Sequence, residues 1–144
     1  MQNWRWHLCG LAAALWWGSL TALFIMAPLL FAYLPSHTLA GNTAAHLFTA
    51  QSWISSVCAV LLLMLARPAQ TSPASAHASQ TLLLFVILGL LLALLVQYAI
   101  APRIVAREHL AFWHTLGSLM LVAQWACALA ALWRLLGPRQ IRPA

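Results

Sequence analysis

Six histidines, three cysteines and one carboxylate, Glu108, are the side chains in this 144-residue chain best suited to bind a metal or move a proton. Histidine is the commonest metal ligand, and neutral imidazoles on facing helices can hold copper, zinc or haem iron. His46 and His114 are the best-placed pair, each a turn or more inside an apolar run, and His37 and His109 lie near the ends of such runs. The four are the candidate metal ligands, and His46 and His114 the candidate haem or copper pair. The other reading has His37 and His109 facing lipid headgroups, with His46 and His114 making interhelical hydrogen bonds. No HxxxH, HxxEH or CxxC spacing favours metal over that reading. Cys9, Cys58 and Cys127 all fall inside apolar runs, so they read as small buried side chains.

Catalysis finds less support. His114 and Ser118 stand one helical turn apart, the spacing of a serine–histidine dyad, but no acid is placed to orient the imidazole. A single glutamate excludes paired-carboxylate chemistry within one chain and argues against a proton relay through intramembrane acids. Glycine-rich phosphate motifs are absent. The expectation is a protein that is not an enzyme and has no cofactor, with haem or copper binding as the alternative.

The elements that must hold these residues are set by composition. The chain is 64% hydrophobic and only 6% charged, with a mean hydropathy of +0.88. Soluble domains carry about 25% charged residues, so a water-facing surface cannot be built here and lipid must be the solvent. Four apolar runs predict an all-α integral membrane bundle of four transmembrane helices, one domain over 1–144. The spans fall at about 7–34, 42–66, 81–101 and 110–136, with a flexible loop at 69–80. Ser36 caps the second helix, Pro102 ends the third and Gly137-Pro138 ends the fourth. The first run is too long for a signal-peptide core of about 7–15 residues, and reads as a retained helix.

All seven basic residues are arginines, and they sit singly at the ends of apolar runs. That pattern fits lipid headgroups and excludes a nucleic-acid surface. With four spans, Arg5, Arg67, Arg134, Arg139 and Arg142 share one side and Arg103 and Arg107 the other, so both termini are expected in the cytoplasm. On this topology the outer half of the bundle collects a polar cluster: Gln51, Ser52, Gln97, Ser118, Arg103, Arg107 and Glu108, together with the four histidines. Buried polar groups in lipid need partners, so His114 is expected to lie against the second or third helix. Ala123, Cys127 and Ala131 on the last helix, and Ser52 and Ser56 on the second, are spaced for close helix approach.

The segments LFAYLPSHTLAG, HLF, APR and FWHTLGS resemble the bacterial family called domain of unknown function 4149, akin to eukaryotic transmembrane protein two-hundred-and-five. The resemblance runs from about Trp16 to Trp133. Phe31, Leu34 and Pro35 match its LF-x-x-LP segment, and Pro102 and Arg103 its Pro-Arg pair. Phe112, His114 and Ser118 match its F-x-x-H-x-x-S segment loosely, with Gly117 in place of the expected serine and Leu121 in place of an asparagine. The resemblance implies a four-helix membrane protein without an established activity. A more distant likeness, in helix count and scattered histidines, is to the copper-resistance membrane domain family. Together these readings give a multi-pass protein of the bacterial inner (plasma) membrane, a subunit or small carrier. Its expected partners are membrane lipids and further copies or a membrane partner subunit.

Overall fold

The computed structural model describes residues 3–66, 73–106 and 109–137. Helix α1 spans Asn3–Tyr33, α2 His37–Leu65, α3 Pro73–Leu95 and α5 Leu110–Leu136; a π-helical segment, Val96–Ile100, joins α3 to the short α4, Ala101–Val105. No strand occurs among the described residues. Four helical spans, Trp4–Tyr33, His37–Leu65, Ser79–Val105 and Leu110–Leu136, are long and apolar enough to cross a membrane. At 31 residues α1 is about 46 Å long, more than the roughly 30 Å of a bilayer's hydrocarbon core. Its ends therefore reach headgroup level.

Local chemistry sets most of the boundaries. Pro35 cannot continue α1, and Ser36, in extended conformation, opens α2 as its hydroxyl accepts the Leu39 N–H at 3.2 Å. At the other end of this antiparallel pair, Arg5 Nη2 donates to the carbonyl of Leu65 at 3.2 Å, satisfying one of the open carbonyls that end α2. Gly137 closes α5.

Two boundaries differ from expectation. Residues 73–80, expected in the flexible loop, are helical. Pro73 is pre-set for a first helical turn, and Ala74, Ala76 and Ala78 are strong helix formers attached to an apolar helix that propagates back through them. The rest of that loop, 69–72, lies outside the described residues. Pro102 does not end the third span. A proline lacks the N–H for the usual bond four residues back, and its ring crowds that carbonyl. Here the ladder widens first: the Ala101 N–H bonds the Val96 carbonyl, five residues back, and the helix resumes with Pro102 in its first turn.

The helices form a ring: α1 packs on α2 and α5, and α3 packs on the same two. Small residues line the interior where helices approach, with Cys9 and Ala13 from α1, Ser55 and Ala59 from α2, Gly89 from α3 and Ala128 and Ala131 from α5, and Leu20, Leu23, Leu62, Val86 and Leu121 fill the space between them. Large apolar side chains such as Leu11, Trp53, Leu84 and Leu119 point outward. Lipid tails are as apolar as leucine, so burial of leucine drives nothing there; close backbone approach does. Cys127 and Ala131 take part in that approach, Ala123 does not, and Ser52 is buried with Ser56 half-buried. Trp16 is the largest of the buried side chains. It is fully buried, and its ring fits only because Gly89 has no side chain: a Cβ there would stand 2.5 Å from Trp16 Cη2.

Candidate functional site

Ser19, Gln51 and Gln124 each lie at the middle of their span, and Ser55 sits one turn beyond Gln51 on the same face. They meet. Gln124 Nε2 donates to Ser55 Oγ at 2.7 Å, and Gln51 Nε2 donates to the same oxygen at 3.1 Å. The second N–H of Gln51 goes to Ser19 Oγ at 3.0 Å, and Ser19 in turn donates to the Trp16 carbonyl at 3.0 Å. Gln51, Ser55 and Gln124 are buried. One serine hydroxyl thus gathers two amides from two helices, and the chain of bonds ties α5 to α2 and α2 to α1. In hydrocarbon these groups have no other partners.

A second clamp joins α1 to α5. Trp125 Nε1 donates to Thr21 Oγ1 at 2.9 Å, and Thr21 donates to the Trp17 carbonyl at 2.9 Å. The Trp17 and Trp125 rings lie 6.0 Å apart, tilted by 41°. Among the described residues, the Nε1 atoms of Trp16 and Trp17 are buried donors without an acceptor. They are the two places where the interior leaves a hydrogen bond unmade.

The sequence-derived candidates distribute differently. Of the outer polar cluster, Gln51 joins the central network, at mid-span rather than in the outer half. Ser52 is buried but bonds back to its own helix, at the Phe48 carbonyl. Gln97 is half-buried in the π-helical segment, and Ser118 is exposed. Arg103 lies 4.4 Å from the centroid of the Trp113 ring, a cation–π contact tying α4 to α5. Arg107 and Glu108 lie outside the described residues.

The histidines do not enter the bundle. His37 is exposed beside the Phe31 ring, and His109 is exposed in a left-handed conformation (φ 39°) at the turn into α5. His46 is exposed because it lies two residues from Ala44, about 200° around the helix from the buried face. His114 is exposed too, contrary to the expected contact with α2 or α3, and it makes no hydrogen bond among the described residues. Ile100 and Ile104 close over Gly117, one turn deeper, and leave His114 outside. Ser118, next in sequence to Gly117, is turned about 100° away from that contact. Among the described residues, no three His, Cys, Asp or Glu side chains come together as a ligand set.

Ser19, Ser55 and Gln124 were absent from the sequence-derived cluster. The signal that finds them is depth counted from the middle of each span rather than from its ends. Gln124 also stands three, four and seven residues before the buried Cys127, Ala128 and Ala131.

The fold and this interior define a class: an all-α integral membrane bundle of four transmembrane helices, stapled at its centre by uncharged polar side chains. Residues 11–112 match the family described as domain of unknown function (DUF4149), and the chain belongs to that family. The match takes in Ser19, Gln51 and Ser55, and ends at Phe112, before most of the FWHTLGS segment and before Gln124. No curated protein and no solved structure matches the chain.

Proposed function

We propose that the chain is a non-enzymatic subunit or small carrier of the bacterial inner (plasma) membrane. It works as an assembly with further copies of itself or a partner helix, akin to the proteins that resemble transmembrane protein two-hundred-and-five. One observation carries this reading. The deep amides and hydroxyls are bonded to one another inside a single chain, while His46, His114 and Ser118 stand on the bundle's outside. A polar side chain on a lipid-facing surface is costly unless another protein covers it. A route for a solute through one closed bundle has no polar lining left, so a carrier needs a second copy.

The histidines also support a second reading. An imidazole from each of two copies, exposed and without a hydrogen bond among the described residues, is available to haem iron or copper across an interface. One preparation tests both. Purified chain in nanodiscs is expected to run as a dimer or larger assembly by light scattering, with His46→Leu and His114→Leu shifting it toward monomer. A monomer at every protein-to-lipid ratio overturns the reading. A Soret band or stoichiometric copper, lost in both variants, moves the assignment to the metal-binding alternative.

A further inference from the structure

A groove of about 380 Å³ lies on the lipid-facing side of α3 and α5. That is within the roughly 300–1,000 Å³ of small-ligand pockets. It exists because Ala126 and Ala130, one turn apart on α5, are small between larger walls, Phe85 from α3 and Leu129 and Trp133 from α5. The rim at one end is Arg134, in the last turn of α5.

Arg134 is exposed and has no hydrogen bond or ion pair among the described residues. The chain's one acid, Glu108, precedes the far end of α5, and the 27 residues of that helix span about 40 Å. Trp133, 75% exposed beside it, is the residue type that settles at the boundary between hydrocarbon and headgroups. An apolar trough therefore runs from hydrocarbon depth up to an unneutralised guanidinium at headgroup level. Guanidinium binds phosphate through paired N–H donors.

We infer that this groove is a binding site for a single anionic phospholipid, one acyl chain lying over Ala126 and Ala130 and the phosphate on Arg134. Free phosphate lacks the apolar part that the trough receives. A zwitterionic lipid fills the trough but brings a positive group to an arginine that has no carboxylate partner among the described residues.

The test uses the full chain purified in mild detergent and native mass spectrometry with phosphatidylglycerol or phosphatidylcholine of identical acyl chains. Phosphatidylglycerol is expected to be retained in preference, and Arg134→Gln to reduce its retention about fivefold and that of phosphatidylcholine less, so that the preference is lost. Ala130→Leu, which fills the trough and keeps the charge, is expected to reduce retention of both. Arg134→Lys, which keeps the charge and loses the fork, falls between wild type and Arg134→Gln. Equal retention of the two lipids by the wild type overturns the site, as does undiminished phosphatidylglycerol binding by Arg134→Gln. If Ala130→Leu breaks an assembly of the chain and leaves lipid retention unchanged, the groove seats a second copy and the lipid site is wrong. Thermal unfolding of each variant shows that it is folded; should Ala130→Leu fail there, Ala126→Val applies the same filling with less bulk.

Discussion

Ser55 is the residue on which the interior turns. Its oxygen accepts from Gln51 and from Gln124, so both of its lone pairs are used. Removing one donor and removing the shared acceptor are therefore unequal changes. Gln124→Leu deletes an amide and leaves Ser55 still accepting from Gln51. Ser55→Ala leaves Gln124 without the acceptor it has here and takes one of the two from Gln51. Interhelical hydrogen bonds in membrane proteins contribute about 0.6 kcal/mol on average, up to about 1.7, while a stranded buried donor costs about 1–3 kcal/mol. Gln124→Leu is expected to destabilise by about 1 kcal/mol or less, and Ser55→Ala by about 2. Once Gln124 is leucine, Ser55→Ala should cost less than it does alone, because fewer donors are stranded. Denaturant titration in mixed micelles measures all three, and a Ser55→Ala that is no worse than Gln124→Leu would remove the shared-acceptor account.

At the scale of the helices, termini and faces were legible to different degrees. Ser36 and the Gly137-Pro138 pair announce the start of α2 and the end of α5, because a serine hydroxyl caps a first turn and the residue before a proline is driven to the extended ψ of 150° that Gly137 shows. Pro102 misled, since the widened turn that lets a helix pass a proline is made by backbone bonds with no side-chain signature. The buried faces were the least legible. In water an apolar stripe marks the inside, whereas these helices are apolar all round and their inside is marked by small residues. Hence polarity points to Gln51, while depth counted from the span ends turns His46 and His114 inward and passes over Gln124. Gly89 shows how tight that inside is. Its missing Cβ would lie 2.5 and 2.6 Å from two atoms of the fully buried Trp16 ring. Gly89→Ala is expected to lower stability by about 1–3 kcal/mol, the usual cost of overpacking, despite alanine's better helix propensity. Trp16→Leu in the same chain frees the space, so the alanine should then cost little or become favourable. Thermal unfolding of the two singles and the double closes the cycle, and additive effects would show that Trp16 is not what Gly89 accommodates.

For the whole molecule, the question is which end faces the cytoplasm, and the arginines bear on it. Arg5 bonds the end of α2 at Leu65, while Arg103 stacks on Trp113 at the start of α5, so two ends of the bundle each hold a placed arginine. Arg134 lies in the last turn of α5; in sequence, Arg67 follows α2, Arg139 and Arg142 follow α5, and Arg107 follows α4, so the alternation of four spans counts Arg67, Arg139 and Arg142 with Arg5 and Arg134, and Arg107 with Arg103. The split is five against two. Basic residues near span ends are retained on the cytoplasmic side, and acids such as Glu108 count for little. A C-terminal green fluorescent protein is therefore expected to fluoresce, and a C-terminal alkaline phosphatase to stay inactive. Arg67, Arg139 and Arg142 make the bias adjustable. Replacing these three by glutamine leaves Arg5 and Arg134 against Arg103 and Arg107, two against two. If arginine placement sets the orientation, that variant inserts both ways, and both reporters give signal from one population of cells. If the variant still reports only from the cytoplasm, something other than charge holds the bundle in place. If the unaltered chain reports from outside, the assignment of its two faces is reversed.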